Sequence, residues 1–128
     1  MAFVTMIALL ALVQYLYFGV AVGRARGRHG VSAPAVSGDE QFERFHRAHQ
    51  NTLEQLVVFL PSVYACGYYV NDMLAVAAGL AYLIGRTLYF RGYVRDPETR
   101  GVGMIITMLA NLVLLIGGLI GALRSVLV

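Results

Sequence analysis

Lysine is absent from this chain, cysteine occurs once, and only 13% of the 128 residues are charged. Each shortage excludes something. A soluble domain carries about 25% charged residues, so this chain lacks the polar surface that a water-facing fold requires. One cysteine, Cys66, excludes an intramolecular disulfide and a cysteine-rich zinc module. With 59% hydrophobic residues, the chain is also far from the composition of a disordered segment. Its length is that of one domain, residues 1–128. An integral membrane protein remains.

What is present begins with the arginines, which supply all ten basic side chains. Arginine stays charged when partly buried and offers a planar fork suited to gripping carboxylates. The arginines flank long apolar segments instead of forming a soluble basic face, so no nucleic-acid partner is expected.

Four apolar stretches organise the chain and predict helices over residues 2–23, 42–70, 73–93 and 101–124. Each supplies about the 20 residues that a membrane-crossing helix needs. Lipid offers no partner to free backbone groups, so helices are the expected form. The fold class is therefore all-α, an integral membrane four-helix bundle. Arg24 to Asp39, rich in glycine, serine and proline, reads as a loop. Asn71-Asp72 reads as a tight turn, and Asp96-Pro97 breaks the chain before the fourth helix. The first and third connections carry the arginines and the second has none, which places the first and third in the cytoplasm and both termini outside. Arg124 dissents.

Two polar stripes interrupt the apolar pattern. Arg47, Asn51 and Glu54 are spaced four and three apart, hence on one helical face. A carboxylate entering a membrane is expensive and is usually paired; an Arg47–Glu54 clamp would be the purely structural account. Tyr82, Arg86, Tyr89 and Tyr93 form the second stripe at spacings of four, three and four. Tyrosine belts and snorkelling arginines are its structural alternative. Together the stripes suit a small zwitterionic ligand with several carboxylates and an ammonium group. No nucleotide-binding glycine fingerprint or serine–histidine elbow is present. His46 and His49 lack a nearby third ligand, so no metal is expected. Cys66, between Ala65 and Gly67 in an apolar stretch, reads as core packing.

The segments Arg47-Ala48-His49-Gln50-Asn51-Thr52-Leu53-Glu54 and Gly85-Arg86-Thr87-Leu88-Tyr89-Phe90-Arg91-Gly92-Tyr93 resemble the MAPEG superfamily, the membrane-associated proteins of eicosanoid and glutathione metabolism. The nearest likeness within it is to its type 3 microsomal glutathione S-transferase and leukotriene C4 synthase branch. The resemblance implies a homotrimer of four-helix subunits, with glutathione as co-substrate bound between neighbouring subunits near the cytoplasmic face. Carried over position by position, it assigns Arg26, Arg47, His49, Asn51, Glu54, Tyr89 and Tyr93 to glutathione binding. It assigns Arg100 to stabilising the glutathione thiolate, the catalytic role. The second substrate would be a lipophilic electrophile or lipid hydroperoxide, met from the membrane. Gln55 departs from the pattern, since several relatives place a tyrosine there. The rival readings are a non-catalytic lipid-binding relative and a small four-helix multidrug transporter. The short chain reads as bacterial, hence as an inner-membrane protein; in a eukaryote the endoplasmic reticulum membrane would take its place.

Overall fold

The computed structural model describes all residues, Met1–Val128. It contains four helices, α1 Ala2–His29, α2 Glu40–Tyr69, α3 Asp72–Arg95 and α4 Gly101–Leu127, with a single 3-10 turn, Pro97–Arg100, ahead of α4. No strand is present. Helix α2 packs against each of the other three, whereas α1 and α4 hardly touch.

Two expectations are corrected. The segment Arg24–His29 is helical and not the start of a loop. Charge ends the apolar stretch there, but arginine is a good helix former, and basic residues in a last turn complement the helix dipole. The helix stops where Gly30 adopts a left-handed conformation, φ 67°, and its N–H bonds Arg26 O. The second correction concerns the spans. Three helices, α1, α3 and α4 with its leading turn, are long and apolar enough to cross a membrane, and α2 is not among them. Glu54, Gln55 and Pro61 lower its hydropathy. Of these, Gln55 is partly covered by the bundle, whereas Glu54 and Pro61 are exposed.

Local signals set the remaining ends. Asp39 caps α2 by accepting from Phe42 N at 2.9 Å, and Asn71 caps α3 by accepting from Met73 N and Leu74 N at 2.7 and 3.1 Å. The Met1 ammonium pairs with Asp72 and so ties the start of α1 to the α2–α3 turn.

The main core joins Val4, Ile7 and Ala11 of α1 to Leu56, Phe59 and Val63 of α2, Tyr82 of α3 and Leu114 of α4. Phe59 and Tyr82 stack there with centroids 3.9 Å apart. Cys66 belongs to this core. Nearer the arginine-bearing end, Phe18 and Phe90 stack at 4.0 Å. Outside, the polarity is inverted relative to a soluble protein. Phe3, Leu9 and Leu16 of α1 and Ile105, Leu112, Leu119 of α4 are all exposed. Apolar faces of this extent need lipid or another subunit against them.

Helices α3 and α4 cross at glycines. A Cβ on Gly85 would stand 2.9 Å from Thr107 N, and one on Gly103 would collide with the Tyr89 backbone. This close approach holds Tyr89 beside the start of α4. The Gly117 and Gly121 spacing likewise serves the subunit itself, because Gly121 abuts Tyr69 and Val70 of α2. On α1, Gly19 meets His49, and Gly23 faces open space.

Candidate active site

The site grows from one buried charge. Arg86 is fully buried in the bundle, and its Nη2 donates to Asn51 Oδ1 at 2.9 Å. Its guanidinium lies 4.3 Å from the Tyr89 ring centroid, while its Nε and Nη1 have no hydrogen-bond partner within the chain. The two stripes thus meet: Asn51 from α2 and Arg86 from α3 are joined by a direct bond. Arg86 stood on the tyrosine stripe but outside the assigned set of site residues. Its burial was the missing signal, and spacing within a single helix does not report it.

The rest of the stripe continues toward the arginine-rich end. Tyr89 and Tyr93 rings lie 5.7 Å apart, and the Arg100 guanidinium sits 5.8 Å from the Tyr93 centroid. Arg100 Nη1 also donates to Pro97 O at 2.7 Å, so the short turn before α4 fixes the stem of its side chain. Arg86, Arg100 and Glu54 are all close enough to act electrostatically on Tyr89. Tyr93 and Arg47 line one small cleft of about 250 Å³ together with Glu43, Arg44 and Pro97. The structure therefore gathers Arg47, Asn51, Glu54, Tyr89, Tyr93 and Arg100 around the α2–α3–α4 side of the bundle.

The structural clamp between Arg47 and Glu54 does not form. Arg47 lies 3.7 Å from Glu43 instead, and Glu54 is exposed without an ion pair. Glu54 thus offers an unpaired carboxylate, two turns along from an exposed guanidinium held only loosely by Glu43.

Arg26 and His49 go elsewhere. His49 stacks on Tyr15 of α1 with centroids 4.3 Å apart, and its buried Nε2 has no partner. Arg26 donates to Ala35 O at 2.6 Å and covers the Phe42 ring at 4.7 Å. Both belong to the α1-facing side of α2. The direction of His49 follows from periodicity, because two residues separate it from Arg47 and from Asn51, roughly 200° of helical rotation. The assigned residues thus divide into two sets on two sides of α2.

Gln55 explains its own departure from pattern. Its Oε1 accepts from Asn111 Nδ2 of α4 at 3.0 Å. Asn111, the polar interruption in α4, is buried, and this amide pair supplies its partner inside the bundle.

With this geometry established, comparison with known proteins identifies the lineage. The MAPEG family matches residues 4–120. An uncharacterized protein of Synechocystis is 41% identical over 92% of this chain and 86% of its own length. Human microsomal glutathione S-transferase 2 is 36% identical over 94% of this chain and 82% of its own. Rat leukotriene C4 synthase is 35% identical over 98% and 89% respectively. A match of this breadth, on a helical membrane bundle that carries both polar stripes, shows that the chain belongs to the MAPEG family.

Proposed function

We propose that the protein is a membrane glutathione transferase with an accompanying peroxidase activity, acting as a homotrimer on lipophilic electrophiles or lipid hydroperoxides. The observation that carries this reading is the bonded Arg86–Asn51 centre, flanked by the free carboxylate of Glu54, by Arg47, by two tyrosines and by Arg100. Glutathione is a tripeptide with two carboxylates and one ammonium group. Glu54 suits the ammonium, Arg47 a carboxylate, and Asn51 the peptide backbone. Arg100, at the mouth of α4, suits the sulfur. The name of the related transferase supports the same co-substrate.

The division of the assigned residues supports assembly. Arg26 and His49 lie on one side of α2 and the remaining residues on the other. One ligand touching both sets is most simply held between two copies, each giving a different side. A trimer closes such heterologous contacts into a ring. Mass measurement in a small detergent micelle is expected to give three chains; an active monomer would contradict a shared site.

The chemistry needs one ionisation. A free thiol of about pKa 8.5 is mostly protonated at neutral pH, and a guanidinium near the sulfur favours the thiolate. The thiolate then forms a bond to an electrophilic carbon, and the displaced electron pair leaves on an epoxide oxygen or other leaving group, which takes up a proton. With a hydroperoxide, two glutathione molecules supply two electrons, giving a disulfide, an alcohol and water. The arginine-rich ends, by the positive-inside rule, set this site on the cytoplasmic side of the membrane.

Two outcomes check the binding assignments. Glu54→Gln and Arg47→Gln should each weaken glutathione binding by about ten- to a hundredfold, the loss of one charged hydrogen bond. If Glu54→Gln bound glutathione normally but abolished proton-driven drug efflux, a transporter would replace the enzyme. Arg86→Met separates positioning from folding. Arg86→Met removes a buried charge that has no counter-ion but leaves Asn51 Oδ1 without its donor, two effects of opposite sign on stability. Glutathione affinity should nevertheless fall by about three- to tenfold as Asn51 loses its partner. Calorimetric melting and glutathione titration of the same sample read both quantities; equal affinity in Arg86→Met and wild type would remove Asn51 orientation from the account.

A further inference from the structure

A second group of arginines is turned away from the proposed glutathione site. Arg24 and Arg28 of α1 are four residues apart and share a face, as do Arg91 and Arg95 of α3. Arg24 and Arg28 each lie two residues from Arg26, and Arg91 two residues from both Tyr89 and Tyr93. Two residues correspond to roughly 200° of rotation, so each pair points away from the site-bearing face of its own helix. All four guanidiniums are exposed, and none has a carboxylate within ion-pair distance.

The two pairs line adjoining clefts. Arg24 and Arg28 line a cleft of about 500 Å³ on α1, and Arg91 and Arg95 line one of about 1010 Å³ between α1 and α3. The clefts share Tyr17 and Ala21. The wall of the larger one is apolar, with Tyr17, Leu88 and Phe90 among its residues. Tyr17 and Leu88 are exposed within helices able to cross a membrane. Cations without a carboxylate partner thus stand where the apolar segments end, beside a cleft on the exposed surface of the bundle.

We propose that these adjoining clefts bind an anionic phospholipid, its phosphate held between the two arginine pairs and an acyl chain laid along Tyr17, Leu88 and Phe90. Charge complementarity selects the head group, and the apolar wall selects an amphiphile over a free anion. Basic pockets between membrane helices at the cytoplasmic level recognise anionic head groups in this way. The site stands independently of the glutathione reading, since it uses none of the same residues.

Native mass spectrometry of the detergent-purified full chain, titrated separately with phosphatidylglycerol and phosphatidylcholine, tests it. Phosphatidylglycerol should be retained through delipidating detergent washes and phosphatidylcholine should not. The double variants Arg91→Gln/Arg95→Gln and Arg24→Gln/Arg28→Gln should each lose about thirtyfold in phosphatidylglycerol affinity, two arginine contacts being removed. Arg124→Gln, the loss of one positive charge near the C-terminal end of α4 and outside the clefts, should keep wild-type affinity. Equal retention of the two lipids by the wild-type protein would overturn the proposal even if a double variant failed to fold. So would double variants that behave like Arg124→Gln, or displacement of the lipid by millimolar inorganic phosphate, which would mark a bare anion site. Crosslinks from Tyr17 or Leu88 to a second chain would overturn it too, by filling the clefts with protein.

Discussion

Replacing Arg100 by alanine is expected to spare most glutathione binding while lowering turnover by about 10- to 1,000-fold, the range for one group that stabilises developing charge. In the proposed arrangement binding survives because Glu54 and Arg47 would hold the charged ends of the tripeptide and Asn51 its backbone, with Arg100 at the sulfur. The side chain is exposed, tethered to Pro97 O and set over Tyr93, at the N-terminal end of α4, where the helix dipole also favours an anion. Without the guanidinium the pKa of the bound thiol should rise toward its free value, so thiolate absorbance near neutral pH should fall. The sign of the pH effect follows: the deficit should be largest at neutral pH and shrink as pH rises and hydroxide replaces the missing electrostatic help. Arg124→Ala, an equal loss of charge at the far end of α4, should retain full turnover. Equal deficits in the two variants, or an unchanged thiol pKa in Arg100→Ala, would reduce Arg100 to an interfacial anchor.

The second large effect is expected from a single methyl group. Gly103→Ala places a Cβ against the Tyr89 backbone, with Tyr89 Cα only 2.6 Å away. Backbone cannot rotate aside as a side chain can, so α3 and α4 must separate. Overpacking of this kind destabilises by about 1–3 kcal/mol. It also displaces Tyr89 from Arg86 and from the start of α4, so glutathione affinity and stability should fall together. Gly117→Ala is the comparison, because its nearest neighbour would be Cys66 Sγ at 3.7 Å, an ordinary contact. Thermal melting in detergent that ranks Gly103→Ala below Gly117→Ala checks the packing; equal melting temperatures would contradict it.

The helices were legible in the sequence because apolar runs bounded by Asn71 and by Asp96-Pro97 leave few other folds in lipid. The end of α1 was not legible, since Arg24, Arg26 and Arg28 terminate apolarity without terminating the helix, and Gly30 alone sets the stop. The shortfall of α2 as an apolar span comes from Glu54, Gln55 and Pro61, of which Gln55 bonds Asn111 inside the bundle while Glu54 and Pro61 are exposed. Within the site, spacing placed Arg47, Asn51 and Glu54 on one face and Tyr82, Arg86, Tyr89 and Tyr93 on another. It could not show that Asn51 and Arg86, 35 residues apart, bond to each other, or that Arg47 turns back to Glu43. His49 is the instructive case. Resemblance grouped it with Arg47 and Asn51, yet its two-residue offset turns it to another face of α2, which the structure sets against α1, where it stacks on Tyr15. The proposed site between two copies would accommodate that divergence.

Equilibrium binding of radiolabelled glutathione to the detergent-purified oligomer tests the central claim most directly. Saturable binding is expected, with one glutathione for each chain, competed by unlabelled glutathione and lost when a detergent step separates the oligomer into folded monomers. A folded oligomer that shows no saturable binding would contradict the account.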